Sequence, residues 1–160
     1  VNVMNAAWGT MQERDTVVLN LSEGHKTVEN LKARGAFTVG IADAAHMVEA
    51  DYFGLVSGHQ VPDKLGKAGL TATKAEMVDA PVINELPLCM ECEFVAYQDG
   101  PYGCGVIGKV VSVTADERVL TDGKVDMTKV DAIAFDPYTY GYYKVTERVG
   151  NAFQDGAKLK

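Results

Sequence analysis

The sequence has only 3 cysteines, 1 tryptophan and fewer basic than acidic side chains, and it contains no long apolar run. An odd number of cysteines argues against a secreted disulfide framework and favours a reducing cytoplasm. The net charge of −7, from 15 Lys and Arg against 22 Asp and Glu, repels nucleic-acid phosphates and anionic lipids, so neither is an expected partner. No segment approaches the roughly 20 apolar residues of a membrane helix, and no signal peptide pattern occurs.

The sequence also lacks the familiar catalytic and metal motifs. No HExxH, GxSxG, P-loop or Rossmann glycine pattern occurs. Cys89 and Cys92 form a C-x-x-C pair, but they lie in a strand-like run rather than at a helix N-terminus, which would lower a thiol pKa. Residues three apart in a strand point to opposite faces, and no second Cys or His pair has zinc-site spacing. We therefore predict ordinary small apolar cysteines, no metal site and no catalytic side chain.

The order of the predicted elements indicates a β-rich α+β fold in one domain covering residues 1–160. Strand patterns and helix patterns alternate only at the beginning of the chain, and several consecutive strands follow, which favours an antiparallel barrel with short peripheral helices over a βαβ repeat. The predicted strands are 1–11, 16–21, 36–41, 86–97 and 103–114, and the predicted helices are 27–34, stopped by Gly35, 46–56, stopped by Gly58, and single turns at 62–67 and 127–132. A hairpin is predicted around Asp122 and Gly123, and the segment with Tyr138, Tyr140, Tyr142 and Tyr143 is predicted to be a loop.

Two segments near the beginning of the chain carry binding chemistry. Residues 2–10 form a strand whose tip is built from small residues, so that a flat ligand has access to the backbone. Residues 21–27 place Ser22, Lys26 and Thr27 where a helix begins, which is a natural seat for an anion. From the residues alone, Thr27 fits a helix cap equally well, and Trp8 fits a core or interface anchor.

Together these segments resemble the cofactor-binding segments of the flavin reductase-like proteins, specifically the flavoredoxin branch. The resemblance continues at residues 50–58, at 78–83 and at 149–153. It implies an FMN-binding split β-barrel and a flavin-dependent oxidoreductase that passes electrons from NAD(P)H or a redox protein through FMN to an acceptor. Members of the family usually carry one more strand before the segment that begins at Asn2, so we expect either that a further strand precedes Val1 or that the barrel is completed differently.

The resemblance also implies roles for particular residues. Residues near Asn5 line the flavin ring, Thr10 reaches the phosphate or ribityl chain, and the cluster around Lys26 holds the phosphate. The complete implied cofactor set is Asn5, Ala6, Ala7, Trp8, Thr10, Leu21, Ser22, His25, Lys26, Thr27, Ser57 and Gly58. Relatives often have Arg where Glu23 or His25 stands here, so the cationic partner of the phosphate stays open.

Further alternatives remain at this stage. The tyrosines at 138–143 fit either stacking on a flavin or an interface between subunits, and the family resemblance implies a homodimer. A flavin or small-ligand binding barrel without catalytic activity fits the same residues, as does, less well, a pyridoxamine-phosphate-oxidase-like or haem-handling relative of the same barrel.

Overall fold

The computed structural model describes residues 1–3, 15–100 and 104–160. For Cys104 it describes the backbone only. The first third of the chain forms strand β1 (Thr16–Leu21), helix α1 (Lys26–Arg34), strand β2 (Ala36–Gly40) and helix α2 (Met47–Leu55), which follows a short 3-10 turn at Ala44–His46. The strand predicted for residues 1–11 falls mostly outside the described residues, and Val1–Val3 have no regular secondary structure.

The remaining elements are mostly strands. They are helix α3 (Lys64–Lys67), strands β3 (Ala72–Lys74), β4 (Pro81–Ile83), β5 (Leu88–Gln98), β6 (Cys104–Ala115), β7 (Leu120–Thr121) and β8 (Lys124–Val125), helix α4 (Met127–Val130), and strands β9 (Ile133–Asp136) and β10 (Gly141–Lys144). The hairpin predicted around Asp122 and Gly123 is confirmed as β7–β8. Short 3-10 turns occupy Glu117–Val119 and Asp155–Leu159.

A four-stranded antiparallel sheet in the order β1-β6-β5-β2 forms the centre of the fold. The register of β5 and β6 shifts between Glu91 and Cys92 and again between Phe94 and Ala96. Such bulges bend and twist a strand pair, which curls the sheet. The prediction of a β-rich antiparallel barrel with peripheral helices is confirmed.

The main core lies between this sheet and α1. Leu19, Leu21, Val28, Leu31, Phe37, Cys92 and Val106 form one buried cluster. Helix α1 contributes Val28 and Leu31 from one side, as predicted, and ends at Gly35, whose φ of 68° is in the left-handed region that glycine tolerates. The packing of α1 on the sheet fixes where the first turn of this helix is presented.

One local prediction is wrong, and one hairpin was not predicted. The segment with Tyr138 to Tyr143 is a hairpin, because Gly141–Lys144 pairs with Ile133–Asp136. The helix predicted for residues 46–56 is confirmed as α2, although it ends at Leu55 and Gly58 is not its immediate stop. The hairpin of β3 and β4 was missed because its strands have three residues each and one contains proline.

Candidate functional site

A cleft of about 850 Å³ lies where α1 begins, where α2 ends and where the β9–β10 hairpin packs. Small-molecule sites typically have volumes of about 300–1,000 Å³. The cleft is lined by seven of the twelve residues in the predicted cofactor set: Leu21, Ser22, His25, Lys26, Thr27, Ser57 and Gly58. The other five, Asn5, Ala6, Ala7, Trp8 and Thr10, lie outside the described residues, and their roles stay predictions. Val1–Val3, which directly precede them, also line this cleft.

The first turn of α1 forms one wall. A turn from Ser22 to His25, closed by the His25 N–H donating to the Ser22 carbonyl at 3.1 Å, leads into the helix. His25 is the N-cap residue, with extended backbone and no side-chain capping bond. Thr27 is therefore not the cap, and the capping interpretation of Thr27 is wrong. Amide groups at a helix start together with two hydroxyls suit a bound anion.

Lys26 supplies the positive charge of this wall. Its Nζ lies 2.5 Å from Oε1 of Glu29, one turn along α1, and this hydrogen bond lowers the pKa of the Glu29 carboxyl. A Cβ atom at Gly58 would lie 3.3 Å from Cβ of Lys26. Glycine at position 58 thus lets the turn after α2 approach the stem of Lys26, which brings two distant segments of the predicted set together.

The turn after α2 is held by a compact set of hydrogen bonds. The carbonyl of Ser57 accepts from the N–H groups of Gln60 at 3.0 Å and Val61 at 2.9 Å, and the Ser57 hydroxyl accepts from the N–H of His59 at 3.2 Å. The hydroxyl keeps its own proton available to donate to a ligand. Ser57 and Gly58 are therefore presented on a defined turn.

Lys64 anchors this turn from beneath. Its side chain is buried, and Nζ donates to the carbonyls of Phe53 at 2.9 Å and Val56 at 3.0 Å. These carbonyls lie at the C-terminus of α2, where a cation is favourably placed. Burial lowers the pKa of the Lys64 ammonium. Lys64 also lines the cleft, so this residue connects the cleft to the C-terminus of α2.

The β9–β10 hairpin closes another side of the cleft. Tyr142 donates a hydrogen bond of 2.7 Å to Oδ1 of Asp51 on α2, and its ring lies 5.5 Å from that of Phe135. This bond raises the pKa of the Tyr142 phenol. Tyr140 and Tyr142 line the cleft, whereas Tyr138 is 91% exposed and outside it. Stacking of these tyrosines on a flavin was one of two interpretations of the sequence, but no local pattern predicts the bond from Tyr142 to α2.

A second cleft of about 630 Å³ adjoins the first and shares Val1–Val3, Thr27, Asn30 and Ala50 with it. Near its rim, Nη1 of Arg34 lies 2.6 Å from Oδ2 of Asp79. Thr27, Asn30 and Arg34 occur at spacings of three and four along α1, so one face of this helix serves both clefts. Sequence analysis missed Asn30, although its spacing from Thr27 was a usable signal.

The cysteines behave as apolar residues. Cys92 packs in the main core, whereas Cys89 lines the second cleft, which agrees with the predicted opposite faces. Burial raises the pKa of the Cys89 thiol to about 11 and that of the Cys92 thiol to about 12. Neither thiol is a nucleophile near neutral pH.

Within residues 1–3, 15–100 and 104–160, no group of three or more His, Cys, Asp or Glu is placed to hold a metal ion.

Comparison with known proteins defines the class and then the family. The curled antiparallel sheet is a split barrel: a protein from Shewanella frigidimarina NCIMB 400, described as having a split barrel domain, aligns over 86% of this chain and 70% of its own with a TM-score of 0.66. That protein is 22% identical, so the likeness shows the fold alone. Residues 2–143 match the model of the flavin reductase like domain, and the chain belongs to this family.

Two solved structures are more similar. Flavoredoxin of Desulfovibrio vulgaris (Miyazaki F) is 34% identical, with a TM-score of 0.82 over 88% of this chain and 75% of that one. Flavoredoxin from Methanosarcina acetivorans is 28% identical, with a TM-score of 0.83 over 91% and 76%. Among curated proteins no match was found.

In the described ranges, every helix falls short of the length and apolar character that crossing a membrane requires.

Proposed function

We propose that the protein binds FMN in the 850 Å³ cleft and acts as an oxidoreductase that passes electrons from NAD(P)H or a redox protein to an acceptor. The observation that carries the proposal is the convergence of the α1 start, the Ser57–Gly58 turn and the β9–β10 hairpin on one cleft. Membership of the flavin reductase-like family and the similarity to two flavoredoxins support it.

The residues of the cleft fit the phosphate end of FMN. A phosphomonoester carries a charge of about −1.5 to −2 near neutral pH. Lys26 offers an ammonium group, Ser22 and Thr27 offer hydroxyls, and the start of α1 offers backbone N–H groups. In a chain with a net charge of −7, the Lys26 ammonium group adds a local positive charge for an anion, which it shares with the Glu29 carboxylate.

Another part of the cleft fits a flat aromatic ring. Phe135, Tyr140 and Tyr142 contribute aromatic surface, and the bond between Tyr142 and Asp51 fixes this wall. Bound FMN would supply hydride and single-electron transfer, chemistry that no side chain of the cleft provides. The chain's own residues bind the cofactor, orient it and keep water from it.

The decisive experiment compares FMN with riboflavin, which lacks the phosphate. Purified protein is titrated with each ligand, and flavin fluorescence reports binding. We expect Lys26→Met to weaken FMN binding by about 10- to 100-fold, the value of a charge-assisted hydrogen bond, and to leave riboflavin binding unchanged. Lys32→Met is the matched control, because Lys32 is on the same helix and pairs with Glu23. Equal losses for both flavins would contradict the phosphate site, and no binding of either by folded protein would reject the proposal.

A second measurement separates an oxidoreductase from a binding protein without catalytic activity. The FMN-loaded protein is mixed anaerobically with NADH or NADPH, and the flavin absorbance is followed. Rapid bleaching supports the oxidoreductase, whereas no bleaching with either nucleotide or with a reduced redox protein favours the binding protein. Mass spectrometry of any small molecule that co-purifies identifies the flavin independently.

We further propose that the protein is a homodimer. The support is the aromatic surface beside the cleft, where Tyr138 and Tyr140 are 91% and 80% exposed. Exposed aromatic surface of this kind is typical of protein interfaces. Light scattering after gel filtration gives the mass in solution, and a monomeric mass at micromolar concentration would contradict this proposal.

A further inference from the structure

The last residues of the chain, 146–160, form a C-terminal tail that leaves the body of the protein. The N–H of Val145 still donates to the Ala132 carbonyl at 2.8 Å, which ties the start of the tail to the fold. Beyond this point, the hydrogen bonds found among the described residues join tail residues to each other: Arg148 to Asn151, and Asn151 to Asp155. The family model matches residues 2–143, and the tail is connected to the family only by the resemblance noted at residues 149–153.

The tail is locally ordered, yet its large apolar side chains are in water. Phe153 is fully exposed, and Val149 and Leu159 are 95% and 93% exposed. Phe153 also has a φ of 63°, an uncommon backbone conformation for a bulky residue. Several large exposed apolar side chains in one short segment indicate an interaction surface. The order of the tail therefore does not come from burial against its own body.

The cleft mouth offers a surface that matches. Leu55, at the end of α2, and Tyr140, in the turn between β9 and β10, both line the cleft and are 75% and 80% exposed. Because both side chains line one cleft and are exposed, a third apolar group such as a phenyl ring can gain contact by covering them. Covering them would also close the cleft to water.

The charges favour docking of the tail on a second copy. The tail contains three basic residues and two acidic ones, which gives it a net charge of +1. Since the whole chain has a net charge of −7, residues 1–145 have a net charge of −8. A weakly basic segment is attracted to a strongly acidic body. The nine residues from Val145 to Phe153, separated by eight peptide steps, span at most about 28 Å when extended, enough to cross to a neighbouring molecule.

We propose that the tail of one copy lies across the cleft mouth of a second copy, where Phe153 packs between Leu55 and Tyr140. Within one chain all three side chains stay exposed, although the tail has its own hydrogen-bonded order. Reciprocal exchange about a two-fold axis covers both clefts. The role in closing the cofactor site rests on the proposed FMN function, whereas the exchange itself does not.

The first test measures the mass of the protein without flavin. Chain 1–145 and the variant Phe153→Asp are compared with the full chain by light scattering after gel filtration. We expect a dimer for the full chain and at least a tenfold weaker dimer for both altered proteins. Val48→Asp is the matched control, because Val48 is 68% exposed and lines neither cleft, and it should stay dimeric. A full-strength dimer without the tail, or a monomeric full chain, would overturn the proposal.

A cross-linking test separates exchange from docking on the tail's own body. In a Cys104→Ser background, a Leu55→Cys chain is mixed with a Phe153→Cys chain of different mass and oxidised mildly. We expect a disulfide between the two chains on a non-reducing gel. No cross-link in this mixture, together with a cross-link inside the chain that carries both changes, would show docking on the same molecule and overturn the exchange.

The role at the cleft has its own readout. Iodide quenching of bound flavin should increase severalfold on removal of the tail and remain unchanged with Val48→Asp. If no flavin binds but the two chains still cross-link, the proposed function fails and the exchange stands. If flavin binds and no cross-link between chains forms, the exchange fails and the proposed function stands.

Discussion

The hydroxyl of Tyr142 donates a hydrogen bond of 2.7 Å to the carboxylate of Asp51, across 91 residues of sequence. This bond joins the β9–β10 hairpin to α2, and both elements line the same cleft. The hairpin otherwise belongs to its own two-stranded sheet, separate from the central one. The position of this wall therefore depends on this side-chain bond, on the backbone bond from the Ile133 N–H to the Ala42 carbonyl at 3.2 Å, and on the packing around them.

Tyr142→Phe tests this contact. A hydrogen bond to a carboxylate at a partly exposed site contributes about 1 kcal/mol, so the free energy of unfolding should fall by that amount. Because the folded pKa of Tyr142 is raised, its contribution is present below the unfolded pKa of about 10 and is lost as the pH rises through the folded value. Urea denaturation at several pH values measures both effects. Tyr143→Phe, at an exposed neighbouring position, serves as control, and an equal loss there would contradict the assignment.

Lys64→Met should destabilise the end of α2. The carbonyls of Phe53 and Val56 lose their donor, at a cost of about 1–3 kcal/mol for each carbonyl left unsatisfied, partly offset by removal of a buried charge. The folded pKa of Lys64 is lowered, so between that value and about 10.4 the unfolded chain binds more protons. The stability advantage of the natural chain over the variant should therefore increase with pH in that window. Lys67→Met, at an exposed position on α3, should show neither effect.

Glu29→Gln should strengthen anion binding in the cleft. Glu29 pairs with the ammonium group of Lys26, so a bound phosphate has to share that group with the Glu29 carboxylate. Exposed ion pairs are weak, so we expect FMN or inorganic phosphate to bind about two- to fivefold more tightly. Calorimetric titration gives the affinity. Glu23→Gln, which disrupts the pair with Lys32 on the same helix, is the matched control, and an equal gain there would indicate only a change in overall charge.

Gly108→Ala should disturb the core. A Cβ atom at position 108 would lie 2.3 Å from Cζ of the buried Phe37 and 3.3 Å from the Glu93 carbonyl. Overpacking of this kind costs about 1–3 kcal/mol, or a decrease in Tm of about 2–4 °C for each kcal/mol. Gly105→Ala on the same strand has its nearest contact at 3.9 Å and should leave Tm nearly unchanged. Equal melting temperatures for the two variants would show that Phe37 moves aside freely.

The C-x-x-C pair should be chemically inert in the folded protein. With pKa values of about 11 and 12, the thiols of Cys89 and Cys92 are almost wholly protonated at pH 8. In a Cys104→Ser background, we expect no reaction with a thiol reagent over minutes in buffer and two reacting thiols in denaturant. Rapid reaction in the folded state, or binding of zinc, would restore a redox or metal interpretation of the pair.

Local sequence determined much of the fold. The β-branched run Thr16–Leu21 forms β1, the apolar pair Val28 and Leu31 defines the buried side of α1, and Gly35 ends that helix with a positive φ. These features follow from contacts among neighbours in sequence, which is why a pattern predicts them. The cluster around Lys26 was found in the same way, because a helix start, a cation and hydroxyls occur within six residues.

Only the tertiary structure decided what completes the cleft. Nothing near Tyr142 indicates that it bonds to Asp51, and nothing in the sequence around Lys64 indicates that its charge is buried against two carbonyls. The tyrosine segment was predicted to be a loop because a hairpin of four-residue strands leaves too short an alternation to recognise. The sequence by itself therefore determined the helix start that suits a phosphate. Only the tertiary structure decided which distant side chains surround it, because contacts between distant residues depend on how all the elements pack together.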